Sequence, residues 1–299
     1  MMIKSIDTQH NIAAVSRLFA SSVVQELAAK GRSGLFSRLA KESSITDFLD
    51  SSASVRDVYE LAFNLLKKQQ FRNEYSYKAA ITQKVLLGKH NLNSAAMLTE
   101  FRVGKCKADV VILNGTSTVY EIKSERDSLS RLISQVDEYR NFFACVNVIV
   151  GQNHLDAVQN LLPRDVGIMV LTNRFNISTI RETVEKIERV NPLVIFESIR
   201  TIEAEKILSL LGIEIPDVPN TQKYSALRRI FSTLSSSDAH TCMIKVLKET
   251  RSLKPLSDLV AKAPRALQAA ILTTPIRRMD HAKLVNAFDT PITEALKWT

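Results

Sequence analysis

The sequence predicts a mixed α/β protein in which a central β-sheet lies between an N-terminal and a C-terminal helical region. Short runs rich in apolar or β-branched residues are typical of strands, and they predict strands at 108–113, 118–123, 146–150 and 166–171, while 97–103 can form a further strand. Apolar residues at helical spacing predict helices at 75–87, 129–143 and 154–162. The resulting order, α-β-β-β-α-β-α-β, indicates a mixed sheet with helices on its faces.

The pattern changes twice along the chain and divides it into three expected regions. Residues 1–73 are predicted to be helical, with an amphipathic helix at 55–66 among others, and residues 74–172 contain the strands. Residues 173–299 return to helical spacing with Pro, Gly or Ser breaks. Helices are predicted there at 177–190, 192–211, 224–234, 239–247, 256–261, 265–272 and 282–288.

Composition excludes several classes of protein. The 299 residues include three cysteines and no CxxC pair, which argues against a disulfide scaffold and a zinc ribbon. No apolar run approaches the roughly 18 residues of a membrane span, and the first residues lack the pattern of a secretory signal. We therefore expect a soluble, cytoplasmic protein without a membrane partner.

The charge favours a polyanionic partner. The net charge is +9, of which residues 1–73 contribute +3, residues 74–172 contribute +1 and residues 173–299 contribute +5. Clustered positive charge attracts the phosphates of nucleic acid. Because no dense Lys/Arg tract occurs, the charge alone is equally typical of a basic protein with no such partner.

Two neighbouring strands carry charged residues that suggest chemistry. Asp109 begins one strand, and Glu121 and Lys123 end the next, with Asn114-Gly115 as a turn signal between them. Residues two apart in a strand share a face, so Glu121 and Lys123 project together. Paired carboxylates suit Mg²⁺, and an adjacent lysine can hold water or stabilise negative charge on phosphorus. A salt bridge at a strand end is the alternative explanation.

The hairpin register decides whether this site can form. A two-residue turn at Asn114-Gly115 would pair Leu113 with Thr116 and put Asp109 and Glu121 on opposite faces. A three-residue loop with Gly115 left-handed would pair Ile112 with Thr116 and put both carboxylates on one face. The chemistry requires the second register or a bulge.

The stretch KADVVILNGTSTVYEIKS resembles the catalytic hairpin of the PD-(D/E)XK nuclease superfamily, and RLISQVDEYR is similar to the following helix in a bacterial group of these proteins. In that group a Gln and a Tyr one helical turn apart recur, here Gln135 and Tyr139. The resemblance covers about residues 74–172, and Lys107-Ala108 stands where the Pro of the family name would precede Asp109. It implies a restriction-endonuclease-like αβββαβ core.

The resemblance also implies roles for individual residues. Asp109, Glu121 and the Ile122 carbonyl would bind the metal, and Lys123 would position the attacking water. Glu74, predicted to share the apolar stripe of its helix, would complete the metal shell, with Glu100 as the competing candidate. Gln135 would orient the site or contact substrate. Lys107 and Arg131 are candidates for phosphate contacts, with a solvated charged surface as the alternative.

These observations predict a nuclease that hydrolyses phosphodiester bonds in DNA with Mg²⁺ or Mn²⁺. Such nucleases serve in restriction, repair or phage defence. The alternatives are an RNA-directed nuclease and a nuclease-fold module that binds or regulates a partner without cleavage. The helical flanks offer surfaces for a homodimer or a protein partner.

Overall fold

The computed structural model describes residues 9–299, whose contacts divide them into two compact units. The first unit contains the described residues up to Val85, together with Asn173–Phe175 and Lys254–Thr299. The second unit contains Leu86–Thr172 and Asn176–Leu253.

The first unit is helical, as the patterns at both ends of the chain predict. Helix α4, Val55–Leu66, has the predicted bounds, and a capping box between Ser54 and Asp57 fixes its first turn. The other helices of this unit are α1 Gln9–Arg17, α2 Ser21–Lys30, α3 Gly34–Glu42, α5 Glu74–Ile81, α13 Ser257–Lys262, α14 Gln268–Thr273, α15 His281–Phe288 and α16 Ile292–Ala295.

The second unit combines a six-stranded sheet with helices. Its strands are β1 Ala96–Val103, β2 Cys106–Asn114, β3 Thr116–Lys123, β4 Cys145–Val150, β5 Gly167–Leu171 and β6 Ile177–Arg181. Its helices are α6 Leu87–Lys89, α7 Leu132–Arg140, α8 Leu155–Leu161, α9 Pro192–Ser198, α10 Thr201–Leu210, α11 Asn220–Phe231 and α12 Ser236–Thr250.

The strands follow one another across the sheet in chain order, β1 to β6. Strands β3, β4 and β5 are parallel, because α7 and α8 provide the crossovers, and the other neighbouring strands are antiparallel. The predicted mixed α/β class is confirmed.

One predicted element is wrong. The sequence pattern predicts a helix over 177–190, but Ile177–Arg181 forms the edge strand β6, which pairs antiparallel with β5. Its residues, ISTIR, are mostly β-branched, and such side chains suit a pleated strand better than a helix. The helix predicted over 192–211 is also divided, into α9 and α10.

The second unit extends beyond residue 172 because the helices after β6 supply part of its core. One face of the sheet, including Val111 and Val119, packs in a single apolar cluster with residues of α7 such as Val136. The cluster continues through Ile207 of α10 and Leu247 of α12. The region expected to end at 172 therefore shares a core with residues as far as Leu247.

No single helix within residues 9–299 is long and apolar enough to cross a membrane, although the bent pair 11–17 and 21–30 meets the length and composition criteria together.

Candidate functional site

The β2–β3 hairpin brings the predicted carboxylates to one face of the sheet. Leu113 pairs with Ser117, and Gly115 lies at the centre of the loop with φ +75°. This pairing is neither of the two expected registers, because the loop lies one residue further along the chain. Continued along the strands, it sets Asp109 opposite Glu121, and directly opposed residues share a face.

Glu121 and Lys123 form a buried ion pair on that face. Lys123 Nζ lies 2.7 Å from Glu121 Oε1 and donates a second hydrogen bond to Gln135 Oε1 at 2.9 Å. Glu121 is 1% exposed and Lys123 is 7% exposed. The structure thus brings together Glu121, Lys123 and Gln135 as the sequence predicts, with β3 supplying the charges and α7 the amide.

Tyr139 forms a hydrogen bond with the second carboxylate oxygen of Glu121. Its hydroxyl lies 2.9 Å from Glu121 Oε2 and 2.8 Å from the Lys107 carbonyl oxygen. A phenol has one hydrogen, so it donates to one of these acceptors at a time. If Glu121 is protonated, its carboxyl group can donate to Tyr139 while Tyr139 donates to the carbonyl.

Burial raises the pKa of Glu121 above its ordinary value, against the opposing effects of the Lys123 ammonium and the Tyr139 hydroxyl. The pKa of Tyr139 is also raised, first by burial and then by the Glu121 carboxylate. Tyr139 therefore remains a neutral phenol that orients Glu121. Sequence reasoning gave Tyr139 no role of its own, although its spacing from Gln135, i to i+4, places both on one face of α7.

Asp109 lies beside the pair and is oriented by the backbone. Its Oδ2 accepts a hydrogen bond of 2.7 Å from the Ile122 N–H. Carboxylate oxygens of Asp109 and Glu100 lie within 4.8 Å of each other, since the β1–β2 register sets these residues opposite one another. Glu100 has φ +52°, a left-handed conformation that is uncommon outside glycine.

This donor set fits a hard divalent cation. Two carboxylates at that separation can both bind one ion, with bonds of about 2.0–2.6 Å. Both carboxylate oxygens of Glu121 already form hydrogen bonds, one with Lys123 and the other with Tyr139. Glu121 can therefore bind the same ion only through the lone pairs that these bonds leave available. The Ile122 carbonyl as a further ligand stays a prediction.

The remaining candidates lie at exposed positions. Glu74 begins α5 in the first unit, where its side chain is 56% exposed and pairs with Lys78. The expectation that Glu74 is buried on an apolar stripe is wrong, because it occupies the first turn, where the helix dipole favours a carboxylate.

Lys107 is exposed with Nζ 3.8 Å from Glu100, and Arg131 is exposed before the first residue of α7. Their contacts with metal or phosphate stay predictions.

Comparison with known proteins identifies a family whose sequence model matches this chain. Residues 67–270 match the sequence model of the family described as bacteriophage P4 protein cII. A curated relative, "Protein cII" of Enterobacteria phage P4, is 28% identical over 134 residues, which cover 43% of this chain and 50% of the relative. The chain thus spans about half the length of the curated relative it matches. No solved structure gives a significant match.

Proposed function

We propose that this chain, which belongs to the bacteriophage P4 protein cII family, is a metal-dependent nuclease that hydrolyses phosphodiester bonds in DNA. The observation that supports this most directly is the arrangement of Asp109, Glu121 and Lys123 on one face of the β2–β3 hairpin, with Gln135 against the lysine. The order of strands and crossover helices in the second unit agrees with a restriction-endonuclease-like core.

Asp109 and Glu121 are proposed to hold Mg²⁺ or Mn²⁺, with Glu100 beside Asp109. The bound ion would lower the pKa of a coordinated water and neutralise charge on the phosphate. Lys123 would orient that water and stabilise the developing negative charge, while Gln135 and Glu121 fix the position of its ammonium group. Tyr139 would orient Glu121.

DNA is the proposed substrate because of the resemblance to the PD-(D/E)XK nucleases, and the net charge of +9 agrees with a polyanionic substrate of either kind, DNA or RNA. Lys107 and Arg131 are exposed near the hairpin and at the start of α7, where they could contact phosphates. Restriction, repair and phage defence are all compatible with this chemistry.

One observation favours a second candidate, a nuclease-fold module that binds a partner or nucleic acid without cleavage. Glu121 and Lys123 are almost fully buried and satisfy each other, and an ion pair of this kind can serve folding alone. Under this proposal the hairpin is a scaffold, and the helices supply the binding surface.

Cleavage assays distinguish the two proposals. Purified chain is incubated with duplex DNA, single-stranded DNA and RNA, with Mg²⁺, with Mn²⁺ or with EDTA. Cleavage of DNA that needs the metal and stops with EDTA supports the nuclease. Cleavage of RNA alone moves the substrate to RNA. Binding without cleavage under every condition supports the scaffold.

A further inference from the structure

A cationic pocket lies within the first unit and contains none of the residues of the candidate site. Its volume is about 350 Å³. Ligand pockets start at roughly 300 Å³, so the pocket can hold a small molecule of about the size of a mononucleotide. Of the lining residues that the structure describes, four are cationic, namely Lys67, Lys84, Arg174 and Arg265.

The pocket has a strong excess of positive charge. Its one acidic lining residue is Glu60, and Glu60 Oε1 already accepts a hydrogen bond of 3.2 Å from the Ala266 N–H. Burial lowers the pKa of Lys67; the Glu60 carboxylate opposes this effect, and the charges of Arg265 and Lys84 add to it. Four cations gathered around one cavity repel one another, and a bound anion would relieve that repulsion.

Aromatic rings and Asn64, whose Oδ1 accepts a hydrogen bond of 3.0 Å, surround the Lys67 ammonium, and Gln83 fixes the backbone at Arg265. Lys67 Nζ lies 4.7 Å from the Phe63 ring centroid and 5.8 Å from that of Phe175. Gln83 Nε2 donates a hydrogen bond of 2.9 Å to the Arg265 carbonyl. Phe175 has φ +57°, and a bulky residue in this region of backbone conformation is typical of sites built for a ligand.

We propose that this pocket binds a phosphate-bearing ligand of mononucleotide size, with Lys67, Lys84, Arg174 and Arg265 surrounding the phosphate. Arginine offers a planar fork of donors and lysine a compact charge, and both suit phosphate oxygens. The Phe63 and Phe175 rings give the pocket an apolar wall for the rest of the ligand. The proposal does not depend on nuclease activity, since it concerns different residues.

The phosphate could belong to a free nucleotide or to the 5′ end of a nucleic acid strand. Isothermal titration of the full chain with AMP, adenosine, inorganic phosphate and a short oligonucleotide with or without a 5′ phosphate distinguishes these sources. The test variant is Lys67→Gln/Arg265→Gln. The matched control is Arg38→Gln/Lys41→Gln, which removes the same charge from exposed positions on α3. Thermal unfolding shows whether each variant is folded.

We expect AMP to bind, phosphate to compete and adenosine to bind at least tenfold more weakly. Loss of two charge-assisted contacts should weaken AMP binding by roughly 10- to 100-fold in the test variant and leave the control within about twofold of wild type. Competition between AMP and only the 5′-phosphorylated oligonucleotide would assign the ligand to a strand end. Equal binding of AMP and adenosine, equal loss in both variants, or no binding of any probe at millimolar concentration would overturn the proposal.

Discussion

Glu121 and Lys123 tolerate burial only as a pair. Each is buried, and each neutralises the other across 2.7 Å. Glu121→Gln or Lys123→Met alone should lower the free energy of unfolding by about 3 kcal/mol, because the remaining partner loses its counter-charge inside the protein. The double variant should lose less than the sum of the two.

Urea denaturation of the four proteins measures this coupling. The matched control is the exposed pair Lys206 and Glu249, which lie 2.9 Å apart on the same unit. Breaking that pair should cost less than about 1 kcal/mol. Additive losses at Glu121 and Lys123 would contradict the buried ion pair.

The raised pKa of Glu121 predicts a pH dependence of stability. The folded chain retains a proton on Glu121 at pH values where the unfolded chain, with the ordinary value of 4.5, has released it. The contribution of Glu121 to the free energy of unfolding is therefore fully present below pH 4.5, and it is lost as the pH rises through the pKa of Glu121 in the folded chain. Unfolding measured across this range should show that loss in wild type but not in Glu121→Gln. If the unfolding free energy depends on pH in the same way in both proteins, the dependence belongs to groups other than Glu121.

At the scale of elements, the hairpin loop sets the face on which Asp109 and Glu121 meet. Gly115 has φ +75°, and a Cβ added there would meet nothing within 4 Å, so substitution tests backbone conformation alone. Gly115→Ala should cost about 1 kcal/mol of unfolding free energy, and Gly115→Asn less, since Asn tolerates the left-handed region. Thermal unfolding compares the three proteins. Equal stability of the Ala variant and wild type would contradict the loop conformation.

Elements differ in how far local sequence determines them. The strands that carry Asp109, Glu121 and Lys123, and helix α4, follow from apolar patterns within a few residues. Strand β6 does not, because Ile177–Arg181 is short and its state depends on pairing with β5. The Asp109–Glu100 approach likewise depends on the β1–β2 register and on the backbone at Glu100, neither of which composition specifies.

At the scale of the whole molecule, residues far apart in the chain complete both units. Leu247 of α12 shares a core with Val119, and Arg265 lines a pocket with Lys67. The local sequence pattern does not predict which distant residues join each unit. It shows that a helix has an apolar face, but it does not show which surface covers that face.

A chain that ends at residue 172 should therefore fail to fold cooperatively. It lacks β6 and the helices α9 to α12, which supply part of the apolar core of the second unit. Far-UV and near-UV circular dichroism during heating should show no sharp transition, whereas the full chain should show one. A sharp transition and native near-UV signal in the shortened chain would show that the sheet folds without those helices.

We propose that Asp109, together with Glu121 and Lys123, forms the metal-dependent site of a nuclease. The most direct test measures DNA cleavage and DNA binding side by side for wild type, Asp109→Asn and the control Asp156→Asn, whose carboxylate is exposed on α8. We expect Mg²⁺-dependent cleavage by wild type and by the control. We expect at least a 100-fold loss in Asp109→Asn with binding retained, because that change removes charge from the metal shell and leaves the basic surface intact. Cleavage by Asp109→Asn at the wild-type rate would contradict this proposal.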